Sequence, residues 1–163
     1  MRSMNSIFID ANVFAYVLTN HPKYGDNCMR FLEEVEDGKR EGFVSPLIID
    51  EVSYVLMIQK GKELTGIKET MAVKQAIPKI LDKCLEPVAK FYEYLDYLTS
   101  LGNLKVVSID YSISKIALDL SKEYHLFPRD ALHAACCKAY GITNIATNDS
   151  DFERVEWLKV WKP

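Results

Sequence analysis

Short apolar runs alternate along this chain with stretches in which apolar residues return every three or four positions. Ser6-Ile7-Phe8-Ile9 is such a run, ends at Asp10, and predicts a buried strand. Gly42-Phe43-Val44, Leu104 to Ile109, Asn144 to Thr147 and Leu158 to Trp161 predict four more. Between them lie a turn or helix over 11–18 and a helix from about Lys23 to Asp37. In the latter, Cys28, Phe31, Leu32 and Val35 share one face and Gly38 is a stop. Ser45 and Pro46 open a further helix as N-cap and first-turn proline, with Leu47, Ile48, Val52, Val55 and Leu56 as its apolar face. The pattern stays helical from Lys60 to Leu101, with interruptions expected at Gly66, Pro78 and Pro87 and an apolar stripe of Phe91, Tyr94, Leu95 and Leu98. Two more helices follow. One runs over 111–124, capped by Asp110, with Ile113, Ile116, Ala117 and Leu120 inside. The other runs over 130–140, preceded by Pro128-Arg129 and ended by Gly141.

Strands that are apolar throughout, rather than alternating, belong in a sheet covered on both faces. Their alternation with helices predicts an α/β fold with a mainly parallel sheet of four or five strands. In such sheets the chemistry gathers beyond the carboxyl ends of the strands, where strand order reverses.

Composition narrows the picture further. A length of 163 residues fits a single domain spanning 1–163, and 48% apolar with 26% charged residues is ordinary for a globular chain. The net charge of −3 excludes a uniformly basic nucleic-acid binder, so nucleic acid would have to meet a local basic patch. Cys28, Cys84, Cys136 and Cys137 lack the C-x-x-C spacing of zinc or redox motifs and read as buried free thiols in a reducing cytoplasm. The opening MRSMNSIFID is not read as a secretory leader, and no apolar stretch is long enough to span a bilayer.

The candidate chemistry lies in acids. Asp10 falls at the carboxyl end of the first strand and Asp149 just past the fourth. Glu51 and Asp130 sit near helix starts, which lie on the same edge of a parallel sheet. Four like charges brought together are unfavourable unless a hard divalent ion such as Mg²⁺ or Mn²⁺ neutralises them. Such an ion activates water and offsets charge building on a phosphate, with one or two ions equally compatible. Each acid also has a plain structural reading. Asp10 could cap a turn, Asp130 could be a helix N-cap, Glu51 a solvated helix residue, and Asp149 and Asp151 turn formers in Asn-Asp-Ser-Asp.

These segments resemble a known family. Phe8-Ile9-Asp10-Ala11-Asn12 is similar to the D-x-N strand end of PIN domains. Val44-Ser45-Pro46 through Glu51 and Val52 is similar to their helix-borne Glu motif. Pro128-Arg129-Asp130-Ala131-Leu132-His133-Ala134-Ala135 is similar to the third motif, and Thr147-Asn148-Asp149-Ser150-Asp151-Phe152 to the fourth. The four occur in family order over most of the chain and resemble most the VapC-type toxin ribonucleases and related archaeal PIN proteins. The resemblance implies a three-layer α/β/α fold and a Mg²⁺- or Mn²⁺-dependent endoribonuclease in which water attacks an RNA phosphodiester. It implies Asp10, Glu51, Asp130 and Asp149 as the metal-site acids, Asp151 as an auxiliary fifth, and Asn12 and Thr147 as hydrogen-bonding supports. It further implies an RNA substrate, a possible antitoxin partner, a homodimer and a cytoplasmic location.

The helical region 60–101 reads as an enlarged arm compared with compact VapC toxins. Within 60–83, Lys60, Lys62, Lys68, Lys74, Lys79 and Lys83 stand against Glu63, Glu69 and Asp82. That excess reads either as a contact for RNA phosphates or as a solvated face, and the arm could equally form a dimer or antitoxin interface. His133, one turn after Asp130, reads as a packed residue hydrogen-bonded near the site rather than as a general acid. His21 and His125 read as isolated surface residues, Trp157 and Trp161 as packing, and Tyr92, Tyr94 and Tyr97 as weak stacking candidates. Arg129 reads as a phosphate contact or a salt bridge. Two other functions compete: a PIN-like binding module without catalysis, and a phosphatase using Asp10 as nucleophile. Against the latter, haloacid-dehalogenase-like phosphatases place a second Asp where Asn12 stands.

Overall fold

Five strands form one sheet in the order β3-β2-β1-β4-β5, and every neighbouring pair is parallel. The computed structural model describes residues 5–163. Met1 to Met4, the first part of the opening read as no secretory leader, lie outside the described residues. β1 (Ser6–Ile9) is buried along its whole length because β2 (Glu41–Val44) and β4 (Asn144–Ala146) flank it and helices cover it. β3 (Leu104–Val106) and β5 (Lys159–Trp161) are the edges. β3 is shorter than the 104–109 expected, although the Val107 N–H still donates to the Val44 carbonyl at 2.8 Å.

The chain builds outward from β1 to β3 on one side, then returns to place β4 and β5 on the other. Right-handed crossovers therefore put the helices of the first half on one face and those of the second on the opposite face, giving three layers. The first group is α1 (Ala11–Leu18), α2 (Gly25–Glu36), α3 (Pro46–Thr65), α4 (Thr70–Ala76) and α5 (Leu81–Ser100). The second is α6 (Tyr111–Tyr124) and α7 (Pro128–Tyr140), which pack closely on each other. The core joins both through Phe8, Phe14, Phe31, Phe43, Ile48, Phe91 and Phe152. Cys28, Cys84, Cys136 and Cys137 are buried and free, and burial pushes the Cys28 and Cys136 thiols up to about 11, which makes them poor nucleophiles.

Several sequence readings are corrected. α2 starts at Gly25 rather than near Lys23, because residues 22–24 turn around the imidazole of His21. α7 starts at Pro128, so Asp130 lies in its first turn and Phe127 is the residue at the cap position. Pro87 does not interrupt the helix: it sits inside α5, which continues on both sides. Val55 is not on the core face; Ile48, Val52 and Leu56 are buried, while Val55 is 40% exposed.

The arm predicted over 60–101 consists of the last turns of α3, then α4, a 3₁₀ turn over Ile77–Lys79, and α5. It has its own small core of Ile58, Val73, Ile77 and Cys84. Gly61 makes this packing possible, since a Cβ there would lie 3.0 Å from Ile77 Cγ1. α3 ends at Gly66, whose φ of 71° is the left-handed conformation that glycine adopts without strain. No helix among the described residues is long and apolar enough to cross a membrane.

Candidate metal and active site

Strand order reverses between β2-β1 and β4, and the crevice beyond their carboxyl ends is where the acids meet. Asp10 follows directly on β1. Its Oδ1 accepts from the Ala11 N–H at 2.7 Å and so caps α1. Its Oδ2 accepts from Thr147 Oγ1 at 2.6 Å and from Asn12 Nδ2 at 2.8 Å. The cap uses only one oxygen of the carboxylate, and the other takes the bonds from Thr147 and Asn12.

Thr147 and Asn12 stitch the two strand ends together. Asn12 Nδ2 also donates to Thr147 Oγ1 at 3.1 Å, and Asn12 Oδ1 accepts from the Asn148 N–H at 3.2 Å. Thr147 Oγ1 accepts in turn from the Asp149 N–H at 3.0 Å. Asp149 Oδ1 then accepts from the Asp151 N–H at 2.8 Å, fixing the 3₁₀ turn over Ser150–Arg154. Asp130 joins from the first turn of α7, where the helix N-terminus favours a negative charge.

Glu51 arrives on α3, one and a half turns after the Ser45 cap, whose Oγ accepts from the Ile48 N–H. Glu51 Oε1 lies 3.1 Å from His133 Nε2 and 3.4 Å from Arg129 Nε. His133 is buried against Phe8, and its Nδ1 has no partner among the described residues. The Arg129 side chain is 62% exposed.

Carboxylate and imidazole ligand atoms converge in two groups, Asp10-Glu51-His133 and Asp130-Asp149-Asp151, each within 4.8 Å internally. Asp10, Glu51, Asp130 and Asp149 all line one cavity of about 780 Å³. Asp151 stands beside it, paired with Arg154 Nη2 at 2.8 Å. The donors are mostly carboxylate oxygens, the set a hard divalent cation prefers.

Burial raises the Asp10 carboxyl above its ordinary value; His133, Thr147 and the Ala11 N–H oppose this less strongly. Burial and then the charge of Asp149 raise Asp130 as well. A carboxyl raised in the folded state binds its proton more tightly than in the unfolded chain. Its ionisation therefore lowers stability as pH rises from the ordinary carboxylate range through the raised folded value, and has no effect below that range. In EDTA, the stability of the wild type relative to Asp10→Asn is accordingly expected to fall as pH rises through this window. Urea unfolding at a series of pH values reads the difference directly; a difference that is flat or grows with pH contradicts it.

The cavity also contains residues that sequence reading did not single out: Asp50, Tyr16 and Tyr54. Tyr54 sits three positions after Glu51 on α3, a spacing visible in the sequence that could have marked it. His21 is not isolated, since it stacks on Tyr24 with centroids 5.0 Å apart and contacts Tyr16. Tyr92, Tyr94 and Tyr97 are absent from the cavity lining, and Tyr94 instead donates to Glu36 Oε1 at 2.8 Å.

The family model described as PIN domain matches residues 7–158. The chain is similar to Ribonuclease VapC2 of Methanocaldococcus jannaschii, with 31% identity over 96% of this chain and 93% of the relative. It is also similar to Ribonuclease VapC6 of the same organism, with 25% identity over 98% and 99%. Among solved structures, VapC20 of Mycobacterium tuberculosis, a sarcin-ricin loop cleaving toxin, aligns at TM-score 0.58 with 16% identity over 94% of this chain and 98% of that one. VapBC2 of Rickettsia felis, bound to a promoter DNA fragment, aligns at 0.55 with 16% identity over 96% and 98%. At these identities the structural likeness speaks to fold alone.

Proposed function

This chain belongs to the PIN-domain family, and from that premise we propose that it is a divalent-metal-dependent endoribonuclease of the VapC kind, acting as the toxin of a toxin–antitoxin pair. The observation that carries this reading is the convergence of Asp10, Glu51, Asp130 and Asp149 on one cavity at the carboxyl ends of β1 and β4. Ribonuclease names on the two archaeal relatives, and toxin–antitoxin complexes among the structural neighbours, support it.

In this proposal Asp10, Glu51, Asp130 and Asp149 hold Mg²⁺ or Mn²⁺, with Asp151 as an auxiliary ligand. The ion supplies water activation and charge neutralisation at the scissile phosphate. The chain's own residues prepare the ligands. Asn12 and Thr147 fix one oxygen of Asp10, and His133 fixes Glu51. Orienting bonds of this kind typically change metal affinity by about 10- to 100-fold when removed. Arg129, held by Glu51 and open to solvent, is placed to meet a substrate phosphate. An antitoxin partner, a homodimer, a cytoplasmic location and a single nuclease domain over 1–163 belong to the same proposal.

Purified protein is expected to cleave total RNA in Mg²⁺ or Mn²⁺ and to stop when EDTA is added. Cleavage that continues in EDTA refutes the metal assignment. No cleavage under any metal, together with no Mn²⁺ binding in calorimetry, favours a non-catalytic binding module. Stable association with a small antitoxin co-expressed from a neighbouring gene distinguishes a toxin from a stand-alone RNA-processing enzyme.

A further inference from the structure

The carboxylate cavity has one wall that the metal chemistry does not use. Tyr54 and Val55 follow Glu51 by three and four positions on α3 and therefore share its face. Both line the cavity, and they remain 41% and 40% exposed. Neither serves the core, which takes Ile48, Val52 and Leu56 from the same helix. An exposed tyrosine and valine beside a cluster of acids are not needed to hold a cation.

The arm brings a cation to this wall. Lys74 on α4 places its Nζ 4.9 Å from the centroid of the Tyr54 ring. Lys74 is exposed and makes no ion pair among the described residues. Its place is built: Val73 beside it is buried in the arm's small core, which closes onto α3 through Gly61.

We infer that Tyr54 and Lys74 form a subsite for single-stranded RNA beside the carboxylates, with the ring taking a base and the ammonium the adjoining phosphate. The inference deepens the ribonuclease reading and rests on it. The cavity's acids repel a phosphate backbone, so a binding site there needs a cation at the rim. An aromatic ring stacks any base that is out of a helix, whereas duplex RNA keeps its base faces covered. The chemistry therefore selects unpaired RNA with little preference for sequence.

The test measures binding of a short fluorescein-labelled single-stranded RNA by anisotropy in EDTA, with cleavage of the same RNA in Mn²⁺ followed separately. Tyr54→Ala is expected to weaken binding roughly tenfold, whereas Tyr54→Phe keeps the ring and binds like the wild type. Lys74→Ala is expected to reduce the slope of log affinity against log salt by about 0.7, the value for one phosphate contact on a single strand. Lys122→Ala, on α6, is expected to leave both unchanged.

Unchanged affinity in Tyr54→Ala overturns the subsite, as does an equal loss in Tyr54→Phe or an equal loss for the matched duplex. If Tyr54→Ala instead splits a dimer in light scattering and leaves RNA affinity intact, the wall is a contact between copies and the subsite falls. Wild-type cleavage in Mn²⁺ combined with any of these results overturns the subsite alone. Absence of both cleavage and binding in the wild type overturns the ribonuclease reading with it.

Discussion

Asp10→Asn is expected to lower metal-dependent RNA cleavage by about a thousandfold, the scale of losing a preorganised charged group at a reaction centre, while leaving the chain folded. The substitution keeps the shape of the side chain. Asn at this position retains an oxygen for the Ala11 N–H, so the start of α1 remains capped. Its amide nitrogen then occupies the place of Oδ2, where Thr147 Oγ1 and Asn12 Nδ2 now donate. Thr147 can turn its hydroxyl and accept, but the Asn12 amide meets another donor. The local network is disturbed, and the negative charge offered to a cation is lost.

The two effects separate in measurement. In EDTA the variant is expected to stay folded, and its stability relative to the wild type rises as pH passes through the range in which the buried Asp10 carboxyl ionises. In Mn²⁺ the wild type gains stability by linkage and the variant does not. Rate measurements, Mn²⁺ calorimetry and thermal unfolding with and without metal give three independent readings. A variant that cleaves at the wild-type rate removes Asp10 from the mechanism.

Phe14→Ala is expected to produce the largest loss of stability among single substitutions near the site, about 3–5 kcal/mol. Phe14 is fully buried on α1, and its ring lies 5.5 Å from that of Phe91 on α5 at a tilt of 60°. It joins the helix that carries Asn12 to the long helix of the arm. Truncation removes most of a phenyl group's burial and leaves a cavity that the sheet cannot collapse to fill. Urea unfolding gives the value, and a loss under 1 kcal/mol would show that α1 is held mainly by other contacts. Because no ligand is touched, residual folded protein is expected to bind Mn²⁺ with wild-type affinity.

The parallel sheet was legible because its strands are apolar throughout, and the helices because their apolar residues keep a 3.6-residue period. Asp10 and Asp149 could be placed on one edge from topology alone, since both follow strands. The fate of Val55 was not legible. Its spacing from Val52 and Leu56 fits a core stripe, and only the position of the cavity leaves it in solvent. Pro87 misled for a similar reason: a proline usually ends a helix, but tertiary packing of Val88 and Phe91 carries α5 past it. The approach of Lys74 to Tyr54 depends on how α4 folds back over Gly61, a contact between elements with no local signal. The lysine excess over 60–83 was visible; which lysine approaches Tyr54 was not.

The hydrogen bond from Thr147 to Asp10 joins positions 137 residues apart, and β4 reaches β1 only after three other strands and seven helices have been made. Asp10 and Glu51 are carried by the first third of the chain, whereas Asp130 and Asp149 follow β3. The acids that line the cavity are therefore complete only when β4 has paired with β1 and brought the segment that carries Asp149 beside Asp10.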